Sequence, residues 1–174
     1  NLVPMGKRCN ESYKRDVDIL RRQDGTRRQS FDPYAERKIQ VVLDSSIPFG
    51  GADARIPAWK IELHPDSPEC ETWDEVFRVR ERLERDALTS SFEQWLTQFA
   101  KWFVSERGIN DLDDDKIADG IRAYADILEI MGFEAKVFLK EPVFRMLHCH
   151  CAQGNARLLS FMHELVTQAV PQLA

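Results

Sequence analysis

The stretch that decides the fold class is residues 92–103, Phe-Glu-Gln-Trp-Leu-Thr-Gln-Phe-Ala-Lys-Trp-Phe. Large apolar side chains recur in it every three or four residues, at Phe92, Trp95, Leu96, Phe99, Trp102 and Phe103. This spacing places all of them on one face of an α-helix, here called the aromatic face. Arg107 and Gly108 follow, and a cation followed by glycine is typical of the end of a helix.

The aromatic face has two interpretations. Aromatic side chains at helical spacing usually belong to the core of their own domain. If the other helices already fill the core, the face instead becomes an interface, because buried aromatic residues dominate interface energetics. On the second interpretation the chain binds a protein partner or a second copy of itself through Phe92, Trp95, Phe99, Trp102 and Phe103.

Further helices are predicted on both sides of this stretch. Toward the N-terminus, Thr72-Trp-Asp-Glu75 and Ser90-Ser-Phe-Glu93 both fit the capping box that begins a helix. The second box indicates either a new helix or a kink in a longer one. Toward the C-terminus, apolar residues at helical spacing predict helices over about 117–128, 142–150 and 156–170.

Three short segments are typical of β-strands. Ile39–Leu43 is rich in β-branched residues, and Trp59–Leu63 alternates apolar with polar residues. Residues 133–139 alternate in the same way, with Lys140 on the polar side. The predicted fold class is therefore α+β and mainly helical, with about five helices and a small two- or three-stranded antiparallel sheet.

The charge is distributed unevenly. The net charge is −5, but residues 1–38 hold ten Lys or Arg against six Asp or Glu. We therefore predict a basic N-terminal arm, 1–38, ahead of a single acidic, helix-rich globular domain, 39–174. Such an arm either contacts nucleic-acid phosphates or packs on the acidic domain. The candidate nucleic-acid-binding residues are the paired cations Lys7, Arg8, Lys14, Arg15, Arg21, Arg22, Arg27 and Arg28.

The arm also contains Arg27-Arg28-Gln29-Ser30-Phe31. Two arginines before a serine, with an apolar residue after it, suit a protein kinase that selects basic substrates. A phosphate on Ser30 would lower the positive charge of the arm and alter what the arm binds.

Residues 148–151, His-Cys-His-Cys, could bind zinc, which is the candidate cofactor. Only His148 and Cys151 would share a helix face, so further ligands would have to come from elsewhere. The enzyme hypothesis combines this cluster with His64 and Asp66 in a metal-dependent hydrolase or nuclease. The alternative is that the cysteines are small buried side chains and the histidines lie at the helix edge.

Several functional classes lack their sequence signatures. There is no glycine-rich phosphate loop, no serine nucleophile elbow and no apolar run long enough to span a membrane. The four cysteines in a chain of this length favour reduced thiols and an intracellular location, cytoplasmic or nuclear. The predicted function is a non-catalytic interaction domain that binds a protein, with nucleic acid as an additional partner of the arm.

Overall fold

A computed structural model describes residues 16–32, 39–51, 53, 55–131 and 137–170 of the chain, together with residues 11 and 14. Its elements, in chain order, are β1 (Gln40–Val42), β2 (Glu62–His64), α1 (Pro68–Phe77), α2 (Val79–Leu83), a π-helical segment (Glu84–Thr89), α3 (Ser90–Arg107), α4 (Asp114–Met131), α5 (Val137–Ala152) and α6 (Ala156–Ala169). The predicted α+β, mainly helical fold is confirmed.

The two strands form an antiparallel pair, as predicted, with Val41 opposite Leu63. The pair has one inner and one outer face because successive strand residues point in opposite directions. Leu43 and Leu63 are buried on the inner face, whereas Gln40 and His64 are exposed. The inner face of this small sheet therefore covers one side of the helical core.

The first helix begins earlier than predicted. Ser67 is its N-cap: the Ser67 hydroxyl accepts a hydrogen bond from the Cys70 amide at 3.3 Å, and Pro68 occupies the first helical position. Thr72 is buried inside the helix, so the predicted capping box from Thr72 is wrong. The helix ends at Phe77. Arg78 is its C-cap, with a left-handed backbone conformation and an amide that donates to the Asp74 carbonyl.

The second predicted capping box is also wrong, because the helix continues through it. The Ser90 hydroxyl donates to the Asp86 carbonyl at 2.9 Å instead of accepting from the backbone ahead of it. α2, the π-helical segment and α3 follow one another without a break from Val79 to Arg107. The irregularity indicated at this point is therefore a π-helical segment within one long helix.

The core is centred on Phe99 of α3, which is fully buried. Its ring lies 5.5 Å from that of Tyr124 on α4 and 5.4 Å from that of Phe144 on α5. α4 packs closely at Gly120, where an added Cβ would lie 2.2 Å from the ring of Phe103. Glycine is therefore the residue that lets α3 and α4 approach each other here.

The third predicted strand is wrong over the residues that the structure describes, because 137–140 form the first turn of α5. Leu139, Val143 and Leu147 are buried at helical spacing, and this packing overrides the local alternation. Pro142, predicted in the first turn of the helix, instead lies inside it. Residues 133–136 lie outside the described residues. In the described part of the chain, no helix is long and apolar enough to cross a membrane.

Candidate functional site

Two cavities flank β1 and share the side chains of Ile39, Val41 and Phe138. The first, of about 520 Å³, lies between β1 and the α4–α5 pair. The second, of about 510 Å³, lies between the inner face of the sheet, α1 and the long helix. We call the two cavities together the β1 groove. Concave, largely apolar spaces of this size are where proteins usually bind ligands or partner side chains.

The first cavity follows the free edge of β1. Six consecutive residues, 39–44, line it. Because successive strand side chains point to opposite faces, a cavity that meets all of them lies along the strand edge. Within the described residues, β1 pairs with β2 alone, so its other edge has no strand partner. A strand edge without a strand partner is where an additional strand can pair.

One guanidinium and several carboxylates surround the first cavity. Arg145 donates to Glu141 at 2.8 Å, to Asp126 at 2.7 Å and to Glu129 at 2.9 Å. The hydrogen bond to Glu141 is the largest cause of the raised pKa of Arg145. With Asp44 also in the lining, carboxylates outnumber the single cation. Counted over the residues that the structure describes, the rim of this cavity therefore carries a net negative charge.

The second cavity is more apolar and includes the π-helical segment. Its walls include Trp73 from α1, Val79 and Leu83 from α2, and Ala87 from the π-helical segment. π-Helical turns recur at functional sites because they displace side chains from the regular helical position. Sequence reasoning identified β1 as a strand but missed the groove, which forms only when Ile39 and Phe138 meet across the fold.

The described part of the basic arm forms a hairpin that packs on α1. Arg21 and Arg27 pair across it, and Gly25 makes the turn with a φ of 82°. The guanidinium groups of Arg22 and Arg28 both contact the carboxylate of Glu75. The ring of Phe31 lies edge-on to that of Trp73, at 6.4 Å. The described part of the arm therefore packs on the acidic domain, which is one of the two alternatives predicted for it.

The candidate nucleic-acid-binding residues consequently divide into four groups. Arg22 and Arg28 form ion pairs with Glu75, whereas Arg21 and Arg27 are exposed. Lys14 is half-buried, and Lys7, Arg8 and Arg15 lie outside the described residues.

The aromatic face is covered by the chain itself. Phe92, Trp95, Phe99 and Phe103 are each no more than 5% exposed, because the other helices pack over α3. These four side chains are core residues in this structure and offer no free surface to a partner. Trp102 is half-buried, with its ring 5.0 Å from that of Tyr124, so it reaches the surface. An interface role for Trp102 stays a prediction.

The candidate metal and enzyme residues are not gathered into a site among the described residues, which contain no group of three His, Cys, Asp or Glu suited to a metal ion. Cys151 is buried, and burial raises its thiol pKa to about 12, with a further contribution from Asp114. His148 is half-buried, whereas His64 and Asp66 are exposed. A thiol with so high a pKa carries almost no thiolate at neutral pH, which disfavours Cys151 as a nucleophile. Metal binding by His148 and Cys151 stays a prediction.

His150, which precedes Cys151, is held by the loop after β1. His150 Nε2 lies 2.9 Å from the Ser46 carbonyl oxygen, to which it donates as a neutral or charged ring. Ser46 itself is buried, and its hydroxyl accepts from the Lys60 amide at 2.9 Å. The ring of His150 therefore fixes the loop that leads from β1 to β2.

The side chain of Lys140 is buried, although the alternation in the sequence predicted it on the polar side of a strand. The Lys140 ammonium donates to Gln98 and to the Tyr124 hydroxyl, each at 2.7 Å, and it is 8% exposed. The structure shows no ion pair for it with a described carboxylate. Burial lowers the pKa of Lys140 and raises that of Tyr124 to about 12. Lys140 lines neither cavity, so the cluster contributes to packing rather than to the β1 groove.

Comparison with protein-family models, with curated proteins and with solved structures gives no significant match to this chain. The geometry of the chain itself therefore carries the functional proposal.

Proposed function

We propose that this chain is a non-catalytic interaction domain that binds an extended segment of a protein partner in the β1 groove. The observation that carries the proposal is that, within the described residues, the edge of β1 away from β2 has no strand partner and lies along a cavity. A partner strand added to such an edge gains main-chain hydrogen bonds, and pockets for alternate side chains provide specificity. Ile39, Val41 and Phe138 border both cavities and would contact those side chains.

The charge of the rim favours a basic segment. Among the described residues that line the first cavity, Asp44, Glu129 and Glu141 are acidic and Arg145 alone is basic. Lys or Arg residues on the partner would meet this excess of carboxylates, which mainly accelerates association and selects against acidic segments. The partner is therefore an extended segment that combines apolar residues with Lys or Arg.

The state of the chemically reactive side chains supports a binding role over catalysis. Burial suppresses ionisation of the Cys151 thiol, and His150 is engaged by the Ser46 carbonyl. Neither residue lines the β1 groove.

The test is a selection of randomised short peptides, displayed on phage, against the full chain. We expect selected peptides to be rich in Lys or Arg and to bind Phe138→Ala about tenfold more weakly than wild type, since an anchor contact is worth about 1 kcal/mol or more. Ile130→Ala is the matched control, because Ile130 is 86% exposed and lies outside both cavities. Equal binding to wild type and Phe138→Ala, or failure to select any peptide, would contradict the proposal.

A second proposal concerns nucleic acid and follows from the two exposed arginines of the hairpin. Arg21 and Arg27 lie opposite each other, free of the Glu75 contact that holds their neighbours. Two adjacent guanidinium groups can contact neighbouring phosphates and release counterions.

Fluorescence anisotropy with a DNA duplex across a range of salt concentrations tests this second proposal. Each lost phosphate contact lowers the slope of log affinity against log salt by about 0.9, so Arg21→Ala/Arg27→Ala should lower it by about 1.8. Arg55→Ala/Arg122→Ala removes two exposed arginines outside the hairpin and is the control. Equal slopes for the two double variants would rule out phosphate contacts by the hairpin.

A further inference from the structure

Ser30 lies at the point where the arm is fastened to α1. It is exposed, and the residues around it, 28–32, form neither helix nor strand. On one side Arg28 contacts Glu75, and on the other Phe31 packs against Trp73. Arg27 and Arg28 stand three and two residues before Ser30. The hydroxyl is thus accessible, next to two arginines, and directly between the two contacts that hold the arm.

We propose that Ser30 is the acceptor for an arginine-directed protein kinase, and that its phosphorylation releases the arm from α1. In the transfer, the Ser30 hydroxyl oxygen bonds to the γ-phosphorus of ATP while the bond from that phosphorus to the bridging oxygen breaks. ADP leaves with the electron pair, and the hydroxyl proton passes to the catalytic base of the kinase. This inference does not depend on what the β1 groove binds.

The electrostatic reason for release is competition for Arg28. A phosphoserine carries a charge of about −1.5 to −2 and three strong acceptor oxygens, against −1 for the Glu75 carboxylate. In extended chain its Cα lies about 7 Å from that of Arg28, so the Arg28 side chain can reach the phosphate. When Arg28 binds the phosphate instead of Glu75, Glu75 keeps its contact with Arg22 and loses the one with Arg28. The phosphate also repels Glu75 if they lie within the screening length of about 8 to 10 Å.

Docking and phosphorylation must oppose each other in both directions. The Arg28 side chain is only 10% exposed while it contacts Glu75. A kinase that reads this arginine has to displace it from α1 first. Weaker docking raises the fraction of chains in which Arg28 is available to the kinase, so it raises the rate of phosphorylation, and phosphorylation in turn weakens docking. This dependence on docking separates the proposal from a serine that happens to follow two arginines.

The experiment treats the full chain with the catalytic subunit of cyclic-AMP-dependent protein kinase and Mg·ATP, and mass spectrometry locates the phosphate. Wild type is compared with Glu75→Gln, Glu81→Gln and Ser30→Ala. Glu81→Gln is the matched control, because it makes the same charge change at a carboxylate that pairs with Arg78 and Arg85 instead of the arm.

We expect phosphate on Ser30, no phosphate at that position in Ser30→Ala, and an initial rate about threefold or more higher for Glu75→Gln than for Glu81→Gln. Hydrogen exchange then reports release. The amides of Arg22 and Arg28 bond to Thr26 and Leu20 within the hairpin. An undocked two-stranded hairpin is only marginally stable, so these amides should exchange faster after phosphorylation.

Three results would overturn the proposal. The first is absence of phosphate on Ser30 in both wild type and Glu75→Gln. The second is an equal rate for Glu75→Gln and Glu81→Gln, which would mean that docking does not restrict the kinase. The third is phosphate on Ser30 with unchanged exchange over residues 17–31, which would mean that the arm stays in place.

Discussion

The close approach of α3 and α4 at Gly120 makes a quantitative prediction for Gly120→Ala. An added Cβ would lie 2.2 Å and 2.6 Å from two ring carbons of Phe103, a side chain that is 1% exposed. Both distances are far shorter than van der Waals contact, so either α4 or the ring of Phe103 must move within a filled core. Overpacking of this kind costs up to about 3 kcal/mol, whereas alanine in place of helical glycine gains about 1 kcal/mol. The expected net loss of stability is about 2 kcal/mol.

Urea unfolding followed by circular dichroism measures this loss, and thermal unfolding should show a midpoint lowered by about 4 to 8 °C. Ala123→Gly is the control for helix propensity on the same helix and should cost about 1 kcal/mol. A double variant, Gly120→Ala/Phe103→Leu, separates the two causes. If the ring is the obstacle, the alanine costs less in the Phe103→Leu background, and the difference is the coupling energy of the pair.

A stabilised Gly120→Ala variant would refute the reasoning. An increase of about 1 kcal/mol in the free energy of unfolding would show that only the helix propensity has changed and that Phe103 does not pack against Gly120. The aromatic face would then be less deeply covered by α4 than the structure shows, and its interpretation as an interface would regain support. A loss of stability that is the same with and without the Phe103 ring would likewise place the obstacle elsewhere.

Three further predictions concern single side chains. Burial lowers the pKa of Lys140 below 10.5, so below that pH the unfolded chain binds more protons at this residue, and the contribution of Lys140 to stability should rise with pH. Cys151 and Tyr124 act in the opposite direction, because above about pH 9 and pH 10 they ionise only in the unfolded chain. In urea unfolding from about pH 8 upward, the free energy of unfolding of wild type minus that of Lys140→Met should therefore rise with pH, and a constant difference would contradict it. Cys149 should react with a thiol reagent faster than Cys151, whose thiol pKa is raised to about 12, and mass spectrometry that finds the reverse order would contradict the burial of Cys151. Trp102→Ala should lower the free energy of unfolding by about 1 to 3 kcal/mol, because the partly buried ring packs against Tyr124 of the core, and unchanged urea stability would show that the packing is dispensable.

The helices were predictable where a long periodic pattern specified them. The apolar spacing from Phe92 to Phe103 identified α3, and Gly108 ends it with a φ of 67°, as its position indicated. The spacing from Ile117 to Leu128 identified α4 in the same way. Such patterns succeed because the burial of one helix face requires apolar residues at that spacing wherever the helix lies in the fold.

Short local signals were less informative. Thr72 and Ser90 both fit capping boxes, yet Thr72 lies inside α1 and Ser90 inside the long helix. A capping box involves only four residues, so it also occurs by chance where flanking residues remain helical. Alternation before Lys140 predicted a strand, but packing of Leu139 and Val143 into the core required a helix and turned Lys140 inward.

The sequence by itself determined that the chain is mainly helical, that it has an antiparallel strand pair, and that basic and acidic residues are separated along it. These properties depend on residues that are close in sequence, so periodicity and composition record them. Only the tertiary structure decided that the aromatic face points inward, that Ile39 and Phe138 meet in the β1 groove, and that Glu75 occupies Arg22 and Arg28 but leaves Arg21 and Arg27 exposed. Each of these depends on which distant segments come together, and the local pattern of a segment does not specify its neighbour in space.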